Sequence, residues 1–124
     1  MPLDLARLVV RQTIYLAADV TFDVRRRRVS GAEARGVRLA IDAALDSDDD
    51  AERAAAQSGA PAADWIATVL HDLDDVVVDG EPVAWTDSDA DNAATLRDLF
   101  SPGELGSLFV QLSQGAGEVA LAGK

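Results

Sequence analysis

Cysteine is absent from the 124 residues, which excludes a disulfide framework, a thiolate nucleophile and a thiolate metal ligand. Histidine occurs once, at His71, so any catalytic triad or imidazole metal site would have to use that single ring. Aromatic residues make up 5% of the chain, and none interleaves the arginines as base stacking requires. There is no Gly-rich phosphate loop and no Gly-x-Ser-x-Gly turn to present a serine. No uncharged run approaches the roughly 18 residues of a membrane helix. The apolar N-terminal stretch is broken by Asp4, Arg7 and Arg11, which argues against both a cleaved leader and a spanning segment.

What the chain has is apolar mass, acid and turn-formers. A hydrophobic fraction of 48% and a charged fraction of 27% suit one domain with a real core. The formal net charge is −11. Aspartate dominates the acids and arginine the bases. Residues 1–40 carry eight arginines against four acids, whereas residues 41–124 carry three bases against eighteen acids. The two parts can neutralise each other within one fold, or copies can associate head to tail.

The expected fold class is mainly α with a small β component: four to five amphipathic helices plus a short β-hairpin near 76–85. One helix-rich domain is expected over 1–114, with a Gly/Ala-rich flexible tail over 115–124. Leu5, Leu8, Val9 and Leu16 fit a helical stripe, but Thr13-Ile14-Tyr15-Leu16 suits a strand equally. Val20, Phe22 and Val24 alternate with polar residues and predict a strand over 20–24. Ser30 and Glu33 have the spacing of a capping box, ahead of a helix carrying Val37, Ile41, Ala44 and Leu45. A short helix over 51–57 follows, capped by Asp49 or Asp50 and closed by Gly59. Trp65, Ile66, Val69, Leu70 and Leu73 predict a helix over 61–74. Val76–Trp85, with Asp79-Gly80 as its turn, predicts a hairpin whose return strand Pro82 marks as an edge. Thr86 and Ser88 precede a helix over 88–100. A second capping box, Ser101 with Glu104, opens a helix with Leu105, Leu108, Phe109 and Leu112 on one face.

The reactive groups do not converge in the sequence. His71 lies beside Asp72, Asp74 and Asp75, expected at a solvated helix end rather than in a metal site. Asp87-x-Asp89-x-Asp91 resembles part of a calcium loop, yet Asn92 and Ala94 occupy positions that favour glycine and a larger apolar residue. These acids suit a helix N-terminus better. No catalytic residue, metal ligand or cofactor-binding residue is expected, and the chain is expected not to be an enzyme. The densest local feature is Arg25-Arg26-Arg27-Arg28, which suits pairing with acids within the chain or on a partner. The acidity of the remainder opposes direct nucleic-acid binding.

The run Trp65–Leu70, the hairpin Val78-Asp79-Gly80-Glu81-Pro82-Val83-Ala84-Trp85-Thr86, and the segment from Asn92 to Phe100 followed by Ser101-Pro102-x-Glu104-Leu105 resemble the small tail assembly chaperones of long-tailed phages. The resemblance covers about residues 61–112. It implies a helix-rich, oligomer-forming protein of the host cytoplasm or the virion, with tape-measure or tail-tube proteins as partners and no membrane association. As protein-interface candidates we take Arg25, Arg26, Arg27, Arg28, Trp65, Val69, Trp85, Leu105, Phe109 and Leu112. The apolar members suit a core equally well. A different reading is an acidic inhibitor that imitates DNA, with Asp46, Asp48, Asp49, Asp50, Asp72, Asp74, Asp75, Asp87, Asp89 and Asp91 standing in for phosphates on a basic partner.

Overall fold

Alternating side chains build the first two elements of the computed structural model, which describes residues 8–17, 19–73, 76–114 and the backbone of 118–121. Strand β1 (Leu8–Ala17) and strand β2 (Val20–Arg27) form an antiparallel pair. Val10, Gln12 and Ile14 of β1, with Phe22, Val24 and Arg26 of β2, are buried on one face. Arg11, Thr13 and Tyr15 point to the other face, as the two-residue period of a strand requires. Residues 8–16 are therefore strand, and the helical alternative for that stretch does not hold. Strand β2 also runs past the expected residue 24 to Arg27, because Arg26 continues the buried series.

Five helices follow among the described residues: α1 (Gly31–Leu45), α2 (Asp50–Gln57), α3 (Ala60–Val69), α4 (Asp89–Leu99) and α5 (Pro102–Ser113). Strand β3 (Leu70–Asp72) lies between α3 and a two-residue-strand hairpin, β4 (Val77–Val78) with β5 (Glu81–Pro82). Strand β6 (Glu118–Leu121) comes last. The larger sheet has the order β3-β2-β1-β6, with every neighbouring pair antiparallel. The fold is mainly α with a small antiparallel β component.

Helix starts follow local chemistry. Asp49 caps α2 by accepting from the amides of Ala51 and Glu52. Ser88 caps α4, placing Asp89 and Asp91 in its first turn, where the helix dipole favours acids. Ser101 and Glu104 close a complete capping box on α5. The box expected on α1 is only half formed. Ser30 accepts from the Glu33 amide at 3.1 Å, but the Glu33 carboxylate is drawn away to other partners.

The helix expected over 61–74 stops at Val69. The chain turns extended at Leu70 and pairs with the edge of β2, through Arg26↔Leu70 and Arg25↔Asp72. Leu70 and Leu73 remain buried in this course, so the apolar spacing is satisfied without a helix. The Asp79-Gly80 turn forms as expected, with positive φ at both residues, 52° and 80°. The paired strands are shorter than expected: Val83 still donates to the Val76 carbonyl at 3.2 Å, and Ala84–Trp85 leave the hairpin. The expected flexible tail meets a strand: 118–121 pair with β1 in the register Leu8↔Leu121 to Arg11↔Glu118. Residues 115–117 and 122–124 of that tail lie outside the described residues, as do Leu3 and Leu5 at the other end.

The core sits between one face of the sheet and the helices. Ile14, Phe22 and Val24 meet Ile66 and Val69 of α3, Leu96 of α4, and Leu105, Leu108 and Leu112 of α5. Each such side chain contributes about 1.5–3 kcal/mol by leaving water. Phe22 stacks on Phe100 with centroids 6.0 Å apart. Trp65 meets Phe109 edge to face at 5.2 Å.

Candidate functional site

The arginine run is divided by the pleat of β2. Arg25 points outward and pairs with Asp72 of β3. Arg26 points inward and is 1% exposed. Its Nε donates to Gln12 Oε1 at 2.7 Å, and an Nη donates to the Arg27 carbonyl at 2.9 Å. Gln12 in turn donates to the Gln111 carbonyl of α5 at 2.8 Å, which ties the sheet to that helix. Burial, then the adjacent Arg27 charge, lowers the pKa of Arg26. Arg28 is exposed. The run therefore supplies internal struts at Arg25, Arg26 and Arg27, and it does not form one outward basic patch.

Arg27 and Glu33 form the densest polar node. Arg27 donates to Glu33 Oε1 at 2.7 Å and to Oε2 at 2.5 Å, a two-pronged pairing, and its Nε donates to the Thr68 carbonyl at 3.0 Å. Trp65 Nε1 donates to Glu33 Oε2 at 3.0 Å. One carboxylate thus ties β2, α1 and α3 together. Hydrogen bonding to Glu33 raises the Arg27 pKa, and hydrogen bonding from Arg27 holds Glu33 below the usual carboxylate range against the opposing effect of burial. Nothing in the sequence marked Glu33 for this role, since its spacing from Ser30 already had an explanation.

Between α1 and α5 a groove of about 420 Å³ opens. Helix α1 contributes Ile41 and Leu45, and α5 contributes Pro102, Gly103, Gly106 and Phe109. The α2–α3 region contributes Ala56, Gln57, Gly59 and Ala62. Among the described residues, no charged side chain lines it. Gly59 is required by the backbone: its φ is +85°, and an added Cβ would sit 2.9 Å from Leu105 Cδ1. Gly103 and Gly106 are different, because an added Cβ at either meets none of the described residues within 4 Å. Packing among the described residues does not demand these two glycines. A glycine inside a helix is less stable than alanine by about 0.5–1 kcal/mol. The spacing of Gly103 and Gly106 on an amphipathic helix was the available signal for the groove.

The apolar interface candidates divide between core and groove. Val69 and Leu112 are 0% exposed, and Leu105 is also buried, so these three face the core and present no outward surface. Trp65 is buried under α1 and packs on Phe109, and Phe109 reaches the groove. Trp85 is half-buried against the core. Sequence spacing identifies which face of a helix is apolar, but it cannot say whether this chain or a partner covers that face.

His71 lies exposed on β3 rather than at a helix end. Asp74 and Asp75 fall outside the described residues. Asn92 is buried: it donates to the Thr86 carbonyl at 2.8 Å and accepts from the Thr86 amide at 2.9 Å, which locks the segment entering α4. Among the described residues no group of three or more His, Asp or Glu side chains converges as a metal site, and no helix is long and apolar enough to cross a membrane. No protein-family model, curated protein or solved structure matches the chain.

Proposed function

We propose that this chain is a non-enzymatic assembly factor, of the kind represented by phage tail assembly chaperones, that holds an apolar segment of another virion protein. The observation that supports this reading is the groove between α1 and α5. Its lining among the described residues is uncharged in a chain of net charge −11, and it is wide enough for several side chains of a client helix. Gly103 and Gly106 leave room for close backbone approach. A tape-measure or tail-tube protein in the host cytoplasm is the client this reading names, with self-association of the chain accompanying it. The test is co-purification with a tape-measure fragment, together with light scattering of the isolated chain. Failure to capture the fragment from a chain that remains monomeric would reject it.

The DNA-mimic reading has less support, because some of its acids are engaged within the chain: Asp72 pairs with Arg25 and Asp50 with Arg53, and Asp49 caps α2. Its test is salt-sensitive competition with DNA for a basic partner.

A further inference from the structure

Helix α1 is held differently from the other helices. None of its 15 residues is buried, whereas six residues of α3 and four of α5 are. Its inward stripe of Ala34, Val37, Ile41 and Ala44 is only half-buried. Apart from its own caps, every hydrogen bond or ion pair that joins α1 to the rest of the described chain passes through Glu33. Those bonds reach Arg27 on β2 and Trp65 on α3. Helix α1 also supplies Ile41 and Leu45 to the groove and lies against the indole of Trp65.

We infer that α1 is a latched lid, with Glu33 as the latch. Release of the Glu33 bonds lets α1 open locally while the sheet, α3, α4 and α5 stay folded. Opening exposes Trp65 and widens the apolar surface that Phe109 and Ala62 border. Local opening is cheapest where few apolar side chains are buried, and α1 meets that condition best among the longer helices. The use of the lid, admission of a client, rests on the function proposed above, but the opening itself does not. On this account two of the buried aromatic candidates, Trp65 and Phe109, become available to a partner without global unfolding.

Native-state hydrogen exchange of the full chain, read by mass spectrometry, tests the lid. Amides of residues 31–45 should exchange through openings much more frequent than those of 60–69 and 102–113. Glu33→Gln should speed exchange of residues 31–45 by about tenfold, the effect of losing one charge-assisted interaction, and leave α3 and α5 unchanged. Trp65→Phe keeps an aromatic ring against Phe109 but deletes the indole donor. It should give a smaller acceleration confined to the same segment, and it serves if Glu33→Gln does not fold. Equal protection of α1, α3 and α5 in the parent chain would overturn the inference, as would acceleration of all helices together in both variants. Selective acceleration without stronger capture of a tape-measure fragment would uphold the lid and remove its proposed use.

Discussion

Replacing Gly106 separates a glycine needed by the fold from one that leaves a groove open. In Gly106→Ala the new Cβ enters space with no atom of the described residues within 4 Å, in the interior of α5. The variant should gain about 0.5–1 kcal/mol from the lost backbone freedom of the unfolded chain. For a domain of this size that raises the melting temperature by ~2–4 °C. Gly59→Ala should do the opposite. Its φ of +85° and the 2.9 Å approach to Leu105 Cδ1 predict a loss of about 1–2 kcal/mol or more. Gly106→Leu then tests function. Its side chain would lie in the groove beside Phe109, so capture of a client should fall at least tenfold while the protein remains as stable as the parent. Thermal unfolding and co-purification, run on the same three variants, provide the readouts. A destabilised Gly106→Ala would refute the packing argument, and undiminished capture by Gly106→Leu would refute the groove as the binding surface.

Other expectations follow from single contacts. Because Glu33 is held below its usual range, its ion pair stabilises the fold fully above the ordinary glutamate value of about 4.3, and that contribution is lost as pH falls through the lowered folded-state value. Acid titration of stability should therefore show Glu33→Gln losing less than the parent in that window. The difference should be roughly 0.5–1 kcal/mol, discounted for a partly exposed pair, and an identical slope for the two proteins would contradict it. Leu112→Ala, at a fully enclosed position, should cost about 2–5 kcal/mol in denaturant unfolding; a loss below ~1 kcal/mol would mean that α5 is not packed on the core. Asn92→Ala should cost about 1–3 kcal/mol, since it leaves the Thr86 amide and carbonyl without their side-chain partner. The exposed Asp89→Ala should stay within about 0.5 kcal/mol, and the ordering of the two is checked by urea midpoints.

Particular elements show how far local patterns reach. Asp79-Gly80 sets its turn because few other residues accept positive φ. Ser88, Asp49 and Ser101 start helices because each carries a side-chain acceptor for amides that a helix leaves unpaired. The buried series Phe22 and Val24 marks a strand by its period. These outcomes depend on bonds within a few residues of the chain. The end of α3 does not: Leu70 and Leu73 suit a helix and a strand alike, and the free edge of β2 decides between them. Residues 8–16 carry the same ambiguity and are resolved by the same neighbour.

For the candidate site, the sequence determined which faces are apolar, where glycines interrupt a helix, and that four arginines stand in a row. That those arginines divide between two faces follows from β2 running on past residue 24 to Arg27. Which acid meets Arg27, how deeply Arg26 is enclosed, and whether Phe109 faces a groove or the core were decided only in three dimensions. Glu33 lies six residues from Arg27 and 32 from Trp65, so its bonds exist only once α1 packs beside β2 and α3. Local chemistry sets the elements because their partners are covalently near; the latch and the groove depend on pairings between distant segments, which only the packed chain brings together.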